Sequence, residues 1–527
     1  MRRLLLILIG AALLGAASVQ AAEPQQGGRL VVGLVQEPVT LDPHVTGQAV
    51  VRRIFTNVVD TLVYADDEGG IHPFLAESWD ISDDGLTYTF HLRDDVTFHD
   101  GTPFNAEAMH YSFERIMDPE TGSQSAISAI EPYESSEVVD EFTLRVHLSE
   151  PSAIWLRSTA SHAVAPVSPA AVEELGDAEF GRRPVSTGPF RIVEWVDNEA
   201  IYMERHEDYS WGPEVLGHDG PAYMDELVIA FIPEDQVRLG TLETGETNVI
   251  EDVPSRFVQM LEDDPNFDVL SVPYPGAPQQ VMINVQRPPT DELAVRQAIL
   301  HTVNGEAIVE SLHAGVFPPG NGPLSVATWG AVEGLYRQFY PQDAEAARNL
   351  LEEAGWELGG DGVRVRDGER LSILVNVNAD IPEYGDLAQI LQAQLGDIGM
   401  EVELLRQARS PWFATNETGD YNLVPMGIWR TDPHMLSLLY RTDGSTFAWS
   451  HYSNPEFDEL VDEGARTVDA ERRLEIYREA QEIVMGDALT LPLWDQLNLL
   501  GVQADIDGIV FDENAFPRYH QAHFLGN

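Results

Sequence analysis

The stretch MGIWRTDPH (residues 426–434) places one acid, Asp432, three residues after a tryptophan and directly before a proline. The run that leads into it, YNLVPMGIW (421–429), is mostly apolar, which predicts a short buried strand. Pro433 disfavours continuation of that strand and biases Asp432 towards extended backbone. We therefore expect Asp432 where a rigid strand meets a loop, a position at which binding residues concentrate.

Two roles are open for Asp432. A carboxylate beside the indole of Trp429 could bind the ammonium group of a ligand. An aspartate in a turn, however, commonly accepts hydrogen bonds from nearby backbone N–H groups. From this stretch alone the turn interpretation is favoured, because short motifs often match by chance.

The charge balance excludes several classes of partner. The chain has 527 residues, 43% of them hydrophobic, which is enough for two or three domains. It carries 31 Lys+Arg against 87 Asp+Glu, a formal net charge of −56, and every one of its cations is an arginine. Such a surface repels nucleic acid and anionic lipid, so neither is expected as a partner. The acids are spread along the chain, and molar salt shortens electrostatic screening to about 3 Å, so the composition indicates adaptation to a salty compartment.

The N-terminus indicates export. Arg2 and Arg3 precede an apolar run (4–17), and VQA (19–21) offers small residues for cleavage, so residues 1–21 are interpreted as a signal peptide. No later stretch reaches the roughly 18 apolar residues that a membrane span needs. The chain has no cysteine, which removes lipidation, disulfides and thiolate metal sites. We expect a soluble periplasmic protein.

The remaining chain alternates predicted strands and helices, as α/β sheets do. The main predicted strands are 29–35, 86–92, 141–148, 225–231, 279–285, 371–377, 402–405 and 490–494; the main predicted helices are 50–62, 109–117, 236–242, 292–315, 343–354, 386–396, 456–463 and 470–485. His91 and His99 lack a partner at metal-ligand spacing, so no metal or cofactor is expected.

Six stretches in order carry a resemblance to a known family. They are EPVTLDPH (37–44), PFLAESWDISDDGLTYTFHLRDDVTFHDGTPFNAE (73–107), STGPFRI (186–192), DELAVRQAILHTVN (291–304), YPQDAEAARNLLEEAGW (340–356) and HYSNPEFDELVDEGARTVDAERRLEIYREAQEIV (451–484). Over essentially the whole mature chain, the sequence resembles the solute-binding proteins of peptide-type ABC transporters, the group (family 5) that includes oligopeptide-, dipeptide- and nickel-binding proteins.

The resemblance implies an α/β, two-lobed periplasmic-binding-protein fold with a hinge and an extra inserted domain. The implied ranges are 28–60, 185–275 and 490–527 for lobe I, 61–184 for the inserted domain and 276–489 for lobe II. It also implies a mechanism: a monomer captures a small solute, most readily a short peptide, by lobe closure. The closed form then docks on an ABC permease in the inner membrane, and no reaction occurs on the chain.

The resemblance also suggests binding residues. In peptide-binding relatives an aspartate three residues after a tryptophan holds the ligand's amino group, which matches Asp432 and Trp429. The other matching or neighbouring positions are Trp412 as a pocket wall, Tyr111 reaching from the inserted domain, the loop residues Thr46, Gly47 and Gln48 at the ligand's backbone, and Arg430 near the acid. No clean match holds a ligand carboxylate.

Other functions remain open at this point. The same transport role could serve an oligosaccharide, an opine or a nickel chelate. An oligosaccharide would stack against Trp412 and Trp429, and a nickel chelate would use His434. An exported hydrolase is a distant alternative. The chain has no Gly-x-Ser-x-Gly elbow, no His-Glu-x-x-His pair and no cysteine, so the sequence predicts a protein that is not an enzyme.

Overall fold

The computed structural model describes residues 24–123, 125–445 and 447–526. The predicted signal peptide lies outside these residues. Within them the chain forms three bodies, each with its own sheet and its own hydrophobic core. No helix in the described ranges is long and apolar enough to cross a membrane.

Lobe I is built on a seven-stranded sheet whose strands come from both ends of the chain. In spatial order the strands are Phe267–Pro273, Leu497–Gln503, Val249–Ile250, Arg29–Leu34, Glu226–Phe231, Ala200–Arg205 and Phe190–Val196. Its helices are Ala49–Phe55, Asp235–Thr244 and Ser255–Glu262. Arg29–Leu34 runs parallel to both of its neighbours, and Leu30 and Val32 from it are fully buried in the lobe core. This central strand therefore receives its hydrogen bonds from segments far along the chain.

The inserted domain is a four-stranded antiparallel sheet covered by helices. Its strands are Ala76–Ile81, Thr87–Leu92, Thr143–Leu148 and Tyr133–Asp140, with a small ladder of Val63–Ala65 and Ile71–Pro73; its helices are Ala106–Met117, Ser125–Ile130, Trp155–Ser158 and Pro169–Phe180. The strict alternation of Thr143–Leu148 buries every second side chain, as a sheet with one covered face requires. Asn105 begins the helix Ala106–Met117, because its side chain accepts the N–H of Ala108.

Lobe II is a five-stranded sheet packed against helices. Its strands, in order, are Glu401–Gln407, Ser372–Asn378, Leu423–Ile428, Ala277–Ile283 and Thr490–Trp494. Its helices are Leu293–Thr302, Gly305–His313, Leu335–Phe339, Ala344–Glu353, Pro382–Gly396, Arg409–Thr418, Met435–Tyr440, Pro455–Arg466 and Ala470–Gly486, and a three-stranded flap comprises Glu357–Leu358, Arg364–Arg366 and Glu369–Arg370. The two-lobed α/β fold with an inserted domain is thus confirmed.

Two short segments connect the lobes. Residues 274–276 lead from Phe267–Pro273 into the lobe II sheet, and residues 495–496 lead back from Thr490–Trp494 into lobe I. The N–H of Tyr274 donates to the carbonyl of Gln496 at 2.8 Å, so the two crossings are bonded to each other. Thr490–Trp494 pairs with Ala277–Ile283 and so belongs to the lobe II sheet, although the expected boundary placed residues 490–527 in lobe I.

Two predicted helices were too long. The helix expected at 50–62 is Ala49–Phe55, because the Thr56 hydroxyl donates to the carbonyl of Pro517 and the Asn57 side chain accepts the N–H of Tyr519. The helix expected at 292–315 is divided into two helices at Asn304, whose side chain accepts the N–H of Ala307 and so begins a new helix.

Candidate functional site

A cavity of about 930 Å³ lies between the lobes, beside the two crossings. Lobe I lines it with the start of the helix Ala49–Phe55, the segment 252–256 and parts of the C-terminal segment. Lobe II lines it with residues around the end of Leu423–Ile428, the helix Arg409–Thr418 and the segment 447–449. A cavity of this size can enclose a small solute and is shaped by both lobes at once.

One wall of the cavity is a cluster of aromatic rings in lobe II. Trp412 and Trp449 meet edge to face, with ring centroids 5.0 Å apart, and Phe413 lies 5.0 Å from Trp412 and 5.6 Å from Trp449. Trp412 is anchored because its indole N–H donates to the carbonyl of Asn376 at 3.2 Å. These mutual contacts fix the orientation of the three rings relative to one another.

Trp429 presents the accessible aromatic face. Its side chain is 46% exposed, unlike the buried Trp412 and Trp449, and its ring lies 5.6 Å from that of Tyr274. Tyr274 in turn contacts the ring of Phe516 in an edge-to-face arrangement. An exposed indole enclosed between two lobes offers an apolar surface that a ligand can cover.

Arg53 on the lobe I side is already paired. It donates to both carboxylate oxygens of Asp252, at 2.5 and 2.8 Å, and to the hydroxyl of Tyr274 at 2.8 Å. Glu251 lies 3.3 Å from the same guanidinium; burial raises the pKa of this carboxyl to about 7, although the charge of Arg53 opposes the shift. This network fixes Tyr274 beside Trp429 and leaves Arg53 with little capacity for a ligand.

Arg52 and Arg430 line the same cavity but, in contrast to Arg53, are not in ion pairs within the described chain. Within the described chain, neither guanidinium has a carboxylate at ion-pair distance, and the side chain of Arg430 bonds only its neighbour, donating to the carbonyl of Trp429 at 2.9 Å. Burial lowers the pKa of both, and the charge of Arg430 lowers the pKa of Arg52 further. The buried Asp512 partly offsets this effect on Arg52.

The structure brings together four of the eight residues proposed from sequence. Gly47, Trp412, Trp429 and Arg430 line the cavity. Gly47 also packs against the inserted domain, where a Cβ would lie 2.8 Å from the Ser125 hydroxyl.

The loop residues Thr46 and Gln48 instead hold their own loop. The Thr46 hydroxyl accepts the N–H of Gln48, and the Gln48 side chain accepts the N–H of Val39. Tyr111 packs beside Ala171 and Phe180 of the inserted domain, and burial raises its pKa. None of these three is among the residues that line the cavity within the described chain.

The carboxylate of Asp432 is bonded within lobe II, to a backbone N–H of its own turn and to an arginine. Its carboxylate accepts the N–H of His434 at 2.8 Å and the guanidinium of Arg473 at 2.9 and 3.1 Å, with side chains only 13% and 8% exposed. It is not among the cavity-lining residues of the described chain. The strand before it is Leu423–Ile428, so the acid lies four residues beyond the strand end. These contacts favour the structural role over the ammonium-binding role.

Sequence reasoning missed most of the lobe I side of the cavity. Arg52, Arg53, Asp252, Tyr274 and Phe516 come from four separate segments. The adjacent pair Arg52–Arg53 was the only local signal, since cations are scarce in this chain. The other residues are brought in by tertiary folding.

The profile described as "Bacterial extracellular solute-binding proteins, family 5 Middle" matches residues 70–449. Glutathione-binding protein GsiB of Escherichia coli (strain K12) is 27% identical over 479 residues, which cover 88% of this chain and 88% of that protein.

Two solved structures have the same fold. HbpA2 from Haemophilus parasuis superposes with a TM-score of 0.84 at 23% identity, covering 94% of this chain and all of that one. The periplasmic binding protein DppA from Helicobacter pylori, in complex with peptide STSA, superposes with a TM-score of 0.72 at 25% identity, covering 95% of this chain and 99% of that one.

Proposed function

Because the chain belongs to the bacterial extracellular solute-binding proteins of family 5, we propose that it captures short peptides for an ABC importer. In this role the protein acts in the periplasm as a monomer and passes its solute to a permease in the inner membrane. The family consists of transport proteins that bind solutes outside the cytoplasm, so the chain's contribution is recognition and release.

The cavity between the lobes carries the proposal. Both lobes line it, and within the described residues two crossings, at 274–276 and 495–496, join their sheets, so rotation about these crossings would open and close the site. Away from the crossings, the N–H of Ala153 in the inserted domain donates to the carbonyl of Ala465 in lobe II at 2.9 Å. This contact joins the inserted domain to lobe II, so movement of the lobes apart is expected to break it.

A peptide suits the cavity by size and by chemistry. A volume of about 930 Å³ is at the upper end of typical small-ligand sites, room for a few amino-acid residues. The lining combines aromatic rings with charged and amide groups, which complement a peptide's side chains, termini and backbone. GsiB is named for binding glutathione, a tripeptide, and the DppA structure holds the peptide STSA.

A melting-temperature panel in high salt tests the proposal. The probes are di- to pentapeptides, glutathione, neutral gluco-oligosaccharides, an opine, and nickel with histidine. A peptide at a hundred times its dissociation constant should add about 2.7 kcal/mol to the free energy of unfolding. A response to sugars, the opine or nickel-histidine alone would contradict peptide capture and leave the transport role standing.

Small-angle scattering tests the lobe motion. Saturating peptide should reduce the radius of gyration, because ligand stabilises the closed form. Identical scattering with and without a peptide that raises the melting temperature would contradict capture by closure.

A further inference from the structure

The inserted domain contacts lobe II as well as lobe I. Trp329 of lobe II lies against the turn 66–70 of the inserted domain, where a Cβ on Gly69 would come within 3.1 Å of the indole ring. The backbone bond from Ala153 to Ala465 joins the same two bodies. These contacts lie outside both crossings, so they connect the inserted domain to lobe II independently of the hinge.

The inserted domain is fastened to lobe I by buried ion pairs. Arg115 donates to both carboxylate oxygens of Asp42, at 2.9 and 2.6 Å, with side chains 6% and 2% exposed. Arg157 pairs with Glu513 of the C-terminal segment and also donates to the carbonyl of Asp66 at 3.0 Å. The second arginine therefore ties the contacting turn directly to lobe I. Because these pairs hold the inserted domain to lobe I, we expect the two to move together when the lobes rotate.

The lobe II side of the contact is held in place by the backbone around Trp329. The Thr328 hydroxyl accepts the N–H of Gly276 at 2.7 Å and donates to the carbonyl of the same residue at 3.1 Å. On the other side, the Gln481 amide donates to the carbonyl of Gly330 at 2.8 Å. The tryptophan is thus fixed between one anchor on a crossing and one anchor on a lobe II helix.

The indole ring of Trp329 is held by packing. The guanidinium of Arg473 lies 4.9 Å from the ring centroid, and this arginine is itself held by Asp432 and by the carbonyl of Gly464. The indole N–H is buried and has no hydrogen-bond acceptor in the described chain. Moving the lobes apart would separate the ring from Gly69 and return part of its apolar surface to water.

We propose that Trp329 and the turn 66–70 form a clasp that holds the lobes closed around bound solute. The proposal rests on lobe closure, the mechanism of the proposed function, and adds the residues that set how long the closed form lasts. Separation of the lobes would take Trp329 away from Gly69 and break the bond from Ala153 to Ala465. Because both contacts join bodies on opposite sides of the crossings, they favour the closed form over the open one whatever the chemistry of the solute.

Peptide dissociation in high salt tests the clasp. Trp329→Ala should bind trialanine and trialaninamide about 10-fold more weakly than wild type, chiefly through faster dissociation measured by stopped flow. The loss should be equal for both probes, because Trp329 is not among the cavity-lining residues of the described chain. Trp195→Ala is the matched control and should bind as wild type. Its ring also packs against an arginine, with the Arg182 guanidinium 4.4 Å from the centroid, but it lies in the lobe I strand Phe190–Val196.

Two glycine variants separate the contact from backbone strain. Gly69→Ala, at φ +93°, would place a Cβ against the indole of Trp329 and should weaken binding of both peptides several-fold. Gly101→Ala lies in another turn of the inserted domain at φ +81°, where a Cβ would meet nothing within 4 Å. Both variants should lower the melting temperature by similar amounts, but only Gly69→Ala should change the affinity.

Fluorine NMR of fluorotryptophan-labelled protein follows the contact itself. The Trp329 signal is identified by its absence from the Trp329→Phe protein. Saturating trialanine should shift this signal, because closure brings the ring against the turn 66–70, whereas the Trp195 signal should stay in place. A Trp329 signal that does not respond to a peptide that binds would overturn the clasp.

The outcomes distinguish the clasp from the proposed function. A Trp329→Ala protein with a lower melting temperature and wild-type dissociation would overturn the clasp and leave peptide capture standing. If wild type binds neither peptide, peptide capture fails instead, and scattering of the ligand-free proteins tests the clasp. Trp329→Ala should then have a larger radius of gyration than wild type and Trp195→Ala, and equal radii would overturn the clasp as well.

Discussion

Replacing Asp432 by asparagine separates its two possible roles. The substitution removes the negative charge and keeps an oxygen that can accept the N–H of His434. If the carboxylate of Asp432 stabilises the fold by pairing with Arg473, as its contacts indicate, the free energy of unfolding falls and the affinity for a free-amine peptide is unchanged. If the carboxylate instead binds the ligand's ammonium group, the affinity for that peptide falls and the free energy of unfolding changes little.

The structure sets the size of the stability loss. Arg473 reaches both oxygens of Asp432, and the two side chains are 8% and 13% exposed, so this is a buried ion pair. Removing one partner from a buried pair costs about 3–5 kcal/mol. Arg473 retains its bond to the carbonyl of Gly464 and its position over the rings of Trp329 and Tyr477. We therefore expect the lower end, about 3 kcal/mol.

Denaturation in high salt, followed by tryptophan fluorescence, measures the loss. The double variant Asp432→Asn/Arg473→Gln should lose less stability than the sum of the single variants, because the pair is already broken. Titration with a peptide and its N-acetylated form is done below the unfolding range. A tenfold or greater loss of affinity confined to the free-amine peptide, with normal stability, would refute the structural assignment.

Three further changes should have measurable effects. Gly276→Ala should lower the free energy of unfolding by more than about 2 kcal/mol and alter the scattering profile. Gly276 lies in the crossing 274–276 at φ +122°, and a Cβ there would lie 2.4 Å from the carbonyl oxygen of Ile428. Normal stability and scattering would contradict this. Burial lowers the pKa of His162 to about 3 in the folded protein. As the pH falls below 6.5, His162 is therefore protonated in the unfolded chain while it stays neutral in the folded one. Wild type should then lose about 2 kcal/mol more stability than His162→Gln between pH 7 and pH 5; parallel pH profiles would refute this. The melting temperature should rise between low and molar NaCl, since salt screens the net charge of −56, and a flat response would argue against salt adaptation.

Sequence patterns predicted the bounds of those strands and helices that are determined by neighbouring residues. The strand expected at 29–35 is Arg29–Leu34, and the helix expected at 343–354 is Ala344–Glu353, followed by Gly355 at φ +86°. Strand alternation and a glycine after a helix end act through neighbouring residues only. Such signals do not depend on the rest of the fold.

The site depended on contacts that no local pattern contains. Arg473 lies 41 positions from Asp432, and nothing around either residue indicates that they pair. Arg52 and Arg430 come from different lobes and line one cavity only because the crossings place the two sheets on either side of it. The resemblance to relatives indicated the region of the site, since Trp412, Trp429 and Arg430 do line it, but it could not assign a partner to each charge.

The origin of the lobe I strands has a consequence for biogenesis. Arg29–Leu34 pairs with Glu226–Phe231, about 200 residues later, and the sheet is completed only by Leu497–Gln503 near the C-terminus. The inserted domain and lobe II draw their sheets from the internal ranges 76–148 and 277–494. A chain delivered N-terminus first can therefore complete both of these before lobe I. Until then the first strand has open edges that favour aggregation, and the high negative charge of the emerging chain keeps copies apart during this interval.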